Sequence, residues 1–142
     1  MEETPESYVR WEPLEDLPEQ PCENIQISYQ GNRLIVTALF GFDPPLRGIL
    51  INFGRVEAFK VYEEFSDPWM ENTPHLPEVK NGQFNRWTWP LQQVLDSSWI
   101  KRIVRRNSGI EGVEWLHYVV VTGDMTLHVM TSGAPEDVQL LS

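Results

Sequence analysis

The chain of 142 residues carries 21 acidic and 11 basic side chains, a formal net charge of −10 at pH 7. That balance argues against nucleic acid as a ligand, because phosphate binding needs clustered Lys and Arg, and it fits a basic partner or simple solubility. The length suits one domain over residues 1–142, and no apolar run approaches the roughly 20 residues of a membrane span, so neither membrane nor wholesale disorder is expected.

Residues 1–23 hold eight acids against Arg10, with prolines at 5, 13, 18 and 21. They read as an extended acidic arm whose Tyr8, Val9, Trp11, Leu14 and Leu17 are apolar enough to dock on the domain. An acidic start is unlike the basic and then apolar pattern of a signal sequence, so the expected location is cytoplasmic. The single cysteine, Cys22, excludes an internal disulfide, in keeping with a reducing compartment.

Residues 24–40, NIQISYQGNRLIVTALF, alternate on both sides of Gly31-Asn32 and predict a β-hairpin with Ile25, Ile27 and Tyr29 on one face. After the break GFDPPLRG, strand character resumes from Ile49 to Tyr62, with Gly54 a bulge or turn between two portions. Residues 63–90 contain four prolines and three tryptophans without a sustained period, a long loop in which Trp69, Trp87 and Trp89 either cover a sheet face as core or form a binding platform. From Leu91 to Arg106, apolar residues at helical spacing predict the one main helix, beginning either after Pro90 or near Trp99 with Asp96-Ser97-Ser98 as its cap. Lys101, Arg102, Arg105 and Arg106 complement the dipole at its end, and Asn107-Ser108-Gly109 stops it.

Residues 115–132, WLHYVVVTGDMTLHVMTS, predict a second hairpin closed by Gly123-Asp124 in a tight turn with positive φ. Val119 then faces His128 and His117 faces Met130. Leu116, Tyr118, Val120, Met125, Leu127 and Val129 form a core face, and His117 and His128 become diagonal neighbours on the other, roughly 7 Å apart between Cβ atoms. A metal site needs a third ligand that no CxxC, HExxH or acidic loop supplies, so no metal and no cofactor are expected. The predicted fold class is α+β, an antiparallel β-sheet of about five to six strands with one main helix and the long Trp/Pro-rich loop packed on it.

The chain contains none of the GxSxG, GxxxxGK[ST] or GxGxxG motifs, and the adjacent acids Glu63 and Glu64 point to opposite faces of a strand, so no catalytic residue is assigned and an enzyme is not expected. The order VEAFKVYEE (56–64), DSSWIKRI (96–103), LHYVVVTGD (116–124) and SGAPEDVQLL (132–141) resembles that of small bacterial proteins, some of them immunity proteins encoded beside polymorphic toxins. The resemblance spans residues 49–141, excluding the acidic arm and the tryptophan-rich loop. It implies no catalytic residues and a protein that binds and blocks a cognate toxin, often through an acidic surface matched to a basic enzyme.

The expected function is therefore that of a small acidic cytoplasmic binding protein, with a basic toxin domain as partner. Expected contacts are Trp69, Glu71, His75, Arg86 and Trp87 in the loop, with Glu63, Glu64 and Asp67 as acidic partners of a basic surface. Two alternatives stand beside it. One is a small enzyme or ligand-binding domain with His117 and His128 in a pocket roofed by the loop; the other is an oligomerising module that pairs as a homodimer through its exposed sheet face.

Overall fold

The computed structural model describes residues 6–15, 17–40, 47–63, 76–80, 84, 87–107 and 109–141, with Arg47 described in its backbone only. Among them are nine strands and one helix. The strands are β1 (Ser7–Arg10), β2 (Cys22–Gln30), β3 (Arg33–Phe40), β4 (Arg47–Arg55), β5 (Ala58–Glu63), β6 (Leu91–Leu95), β7 (Leu116–Val121), β8 (Met125–Thr131) and β9 (Asp137–Leu141); the helix α1 is Ser98–Arg106. They form two antiparallel sheets, of order β1-β6-β7-β8-β5 and β2-β3-β4-β9. The mainly antiparallel β character with one helix agrees with the sequence. The single sheet of five to six strands does not.

The second sheet follows from pattern and turn chemistry. In β3, Leu34, Val36, Ala38 and Phe40 are buried while the residues between them are not, a period of two that turns one face to the core. Gly31 and Asn32 adopt φ of 58° and 66°, the double positive φ of a two-residue turn whose twist matches the flanking strands. Register is then set by Gln30 opposite Arg33, and it places Val36 against Ile51 and Ala38 against Ile49. Gly54, at φ +70°, sits where the β3–β4 register shifts and Phe53 bulges into the core.

The predicted strand from Ile49 to Tyr62 divides between the sheets. β4 belongs to the four-stranded sheet and β5 to the five-stranded one, so the chain crosses the core at Val56 and Glu57. Val56 N–H donates to Asn32 O and Glu57 N–H to Met130 O, both at 2.9 Å, pinning the crossing to both sheets. Alternation shows that a segment is a strand but not which sheet it joins, which is why the sheet count was underestimated.

One core lies between the sheets: Ile25, Leu34, Val36, Phe40, Ile49, Ile51 and Phe53 meet Leu91, Tyr118, Val120, Leu127 and Val129. All six residues of the predicted hairpin face belong to this cluster, Leu116 and Met125 at its margin. Trp89 is also there, fully buried, and its indole N–H donates to Trp11 O at 3.1 Å. The arm is stitched on by β1, which pairs with β6 from Ser7 opposite Leu95 to Arg10 opposite Gln92, and Trp11, Leu14 and Leu17 pack on the core.

The helix expected from Leu91 to Arg106 is corrected in its first half. Leu91–Leu95 is a central strand between β1 and β7. Leu91, Gln92 and Val94 are all buried because both faces of this strand are covered, which hides its period of two and leaves a spacing that imitates a helix. Asp96 at φ +56° ends the strand, and Ser97 caps α1 by accepting from Ile100 N–H at 3.1 Å. The alternative start near Trp99 is thus the observed one. Among the described residues, no helix is long and apolar enough to cross a membrane.

Candidate functional site

The outer face of the five-stranded sheet, turned from the shared core, carries the two histidines. Antiparallel register sets Val119 opposite His128 and His117 opposite Met130, as predicted, and so makes the imidazoles diagonal neighbours. Their turn differs from the expected one: neither Gly123 nor Asp124 has positive φ. Thr122 Oγ1 instead accepts from Met125 N–H at 2.9 Å and Asp124 N–H at 3.2 Å, a side-chain turn that leaves the register unchanged.

His117 and His128 do not lie open. They are 2% and 1% exposed, beside the equally buried Val119 and Met130. α1 supplies cover: the Trp99 ring stands edge-on to both imidazoles, with centroids 4.9 Å from His117 and 6.1 Å from His128. From β5, Tyr62 meets His128 edge-on at 6.0 Å, and Lys60 Nζ lies 4.6 Å from the Trp99 ring centroid.

Hydrogen bonds join these parts in series. Ser97 Oγ is 2.8 Å from His117 Nδ1, and His117 Nε2 is 2.8 Å from His128 Nδ1. Each short contact holds one proton between two heteroatoms, so the series runs in one of two senses: Ser97 Oγ–H donates to His117 Nδ1 and His117 Nε2–H to His128, or His128 Nδ1–H donates to His117 Nε2 and His117 Nδ1–H to Ser97 Oγ. Burial pushes the His117 imidazolium down to about 2, with repulsion from His128 and Lys60 adding to it. His117 is consequently neutral at physiological pH.

Hydroxyl, imidazole and imidazole in line are the groups of a nucleophile, its base and an orienting partner. Here Ser97 is 6% exposed, and its oxygen is committed both to the Ile100 N–H and to His117. The arrangement acts as a clamp that fastens the start of α1 to the sheet. Glu6 reinforces it from the arm, accepting from Ser98 N–H at 2.6 Å and Ser98 Oγ–H at 2.7 Å. Burial opposes ionisation of Glu6, but the Ser98 bonds prevail and hold its carboxyl below its ordinary value.

The histidines spend their facing nitrogens on each other, and among the described residues no group of three or more His, Cys, Asp or Glu is placed to hold a metal. Cys22 is buried, and burial pushes its thiol up to about 12, so it presents no thiolate.

Of the expected contact residues, Glu63 is exposed at the end of β5 opposite Met125. Trp87 is 49% exposed, with its N–H donating to Phe84 O at 3.0 Å and its carbonyl accepting from Val79 N–H at 2.7 Å. Glu64, Asp67, Trp69, Glu71, His75 and Arg86 lie outside the described residues. The tryptophan loop thus divides where it is described, with Trp89 in the core and Trp87 outside it. Ser97, Trp99 and Lys60 were not recognised as neighbours of the histidines; the Asp96-Ser97-Ser98 cap was the only sequence signal pointing there. The DSSW and LHY segments meet through Ser97, Trp99 and His117. Comparison with family models, curated proteins and solved structures gives no significant match.

Proposed function

We propose that this chain is an acidic binding protein for a basic protein partner, in the manner of an immunity protein that caps and neutralises its cognate toxin. The observation that carries the reading is the segregation of charge. α1 holds four of the 11 basic residues and no acid, leaving seven against 21 acidic residues over the rest of the chain. A surface so biased attracts a basic protein over several ångströms and rejects nucleic acid. Glu63, Glu64 and Asp67 face the partner's cations in this reading, with Trp69, Glu71, His75, Arg86 and Trp87 completing the contact. The closure of the histidine pair supports a role in which the acidic surface, rather than a reacting centre, does the recognition.

The test is calorimetry with a basic toxin domain encoded beside the gene, at low and high salt. Stoichiometric binding that weakens as salt rises, and weakens further when Glu63, Glu64 and Asp67 are changed together to Lys, supports the reading. Absence of binding and of protection from the toxin in cells overturns it.

A further inference from the structure

One face of α1, formed by Ile100, Lys101, Val104 and Arg105 at i, i+1, i+4 and i+5, opens onto a groove of about 330 Å³ whose far wall is Val113 and Trp115. The wall is held in place. Trp115 Nε1–H donates to Ile110 O at 3.0 Å, Ile110 N–H donates to Asn107 O at 3.1 Å, and Gly112 turns the chain at φ +92°. Val113 is 45% exposed, so apolar surface is left facing water.

We propose that this groove binds an amphipathic carboxylate, an aliphatic chain of about eight to ten carbons with an anionic end. Size, lining and charge each bear on that choice. A space of about 330 Å³ holds on the order of ten methylene-sized groups. Four aliphatic or aromatic side chains line it, which favours a hydrocarbon body. The polar members of the lining, Lys101 and Arg105, are cationic, and neither Glu111 nor Glu114 of the adjoining loop lines the groove. An anionic end beside Lys101 is therefore matched, whereas a cationic end meets repulsion. The volume of the groove is that of a small-molecule site, so the fitting occupant is a free small molecule.

The probe is octanoate, titrated into the isotopically labelled full chain, with octanol and octylammonium as controls. Saturable shifts centred on the amides of Ile100, Val104 and Val113 and on the Trp115 indole N–H are expected, with a dissociation constant on the order of 0.1–1 mM for a shallow site. Octanol should bind about threefold more weakly, and Lys101→Glu should weaken octanoate about tenfold while leaving octanol unchanged. Val113→Asp should weaken both, and the helical circular dichroism of each variant checks that α1 persists. Octanol or octylammonium binding as tightly as octanoate overturns the carboxylate assignment, as does octanoate binding unchanged by Lys101→Glu. Absence of saturation, or shifts centred elsewhere, overturns the site.

Discussion

His117 Nε2 lies 2.8 Å from His128 Nδ1 with both rings shielded from solvent, so two imidazoles share one proton inside a protein of net charge −10. The pair ties β7 to β8 through side chains as well as backbone, and Ser97 extends the tie to the helix.

The pair should make the fold sensitive to acid. Burial lowers His117 from its ordinary 6.5 to about 2 in the folded chain. As pH falls below 6.5 the unfolded chain takes up a proton that the folded chain refuses. Stability from this group is therefore complete above 6.5 and declines towards 2, at up to about 1.4 kcal/mol per pH unit. Glu6, held low by Ser98, acts in the same sense below its ordinary 4.5. Urea midpoints from pH 8 to pH 5 should fall in the native chain, and His117→Gln should flatten that slope. An equal slope in the variant would place the acid sensitivity elsewhere.

Ser97→Ala should cost about 2 kcal/mol, roughly half from the lost cap and half from the His117 nitrogen left without its partner. Ser97→Thr keeps a hydroxyl and should recover most of it. Denaturant unfolding of the two variants measures this directly; a loss below about 0.5 kcal/mol for the alanine would mean that the clamp contributes little.

Much of this site was legible from alternation and the hairpin register alone. WLHYVVVTGDMTLHVMTS placed His117 and His128 on one face, diagonal to each other, and that register survives although the expected positive-φ turn does not, because Thr122 supplies a different turn of the same length. What covers them was not legible. Leu91, Val94 and Leu95 fall at positions that helix and doubly covered strand share, and only the neighbours β1 and β7 decide between the two. Ser97 was visible as a cap but not as a histidine partner, since a contact across 20 residues depends on where the helix lands. Likewise the bulge read at Gly54 is observed, but inside β4 and not between two strands, and the passage from one sheet to the other just beyond it leaves no mark in the residue pattern.

Gly54 provides a test of that corner. A Cβ there would come within 2.5 Å of the Glu136 carboxyl group, which pairs with Arg33, and the backbone stands at φ +70°. Gly54→Ala should cost about 1–2 kcal/mol for the left-handed backbone alone. Adding Glu136→Ala relieves the crowding but not the strain, so the double variant should remain about 1 kcal/mol less stable than Glu136→Ala. Full recovery in the double variant would assign the whole cost to crowding.

Arg10 holds together three parts of the chain that are distant in sequence. Its guanidinium lies 3.6 Å over the Trp89 ring, hydrogen-bonds both Glu19 oxygens and Glu12, and reaches Glu78 O at 3.4 Å. The side chain is 16% exposed, so the planar fork and the stacking outweigh the simple charge. Arg10→Lys keeps the charge but loses both, and should cost about 1–2 kcal/mol with little dependence on salt. The loss should concentrate at the β1 edge: Trp11 N–H, bonded to Leu91 O at 2.9 Å, should exchange with solvent at least about tenfold faster, while the Val36 and Ile51 amides change only as far as global stability does. Equal acceleration at all three amides would show that Arg10 supports the whole fold evenly, and a loss abolished by salt would return the effect to ion pairing with Glu12 and Glu19.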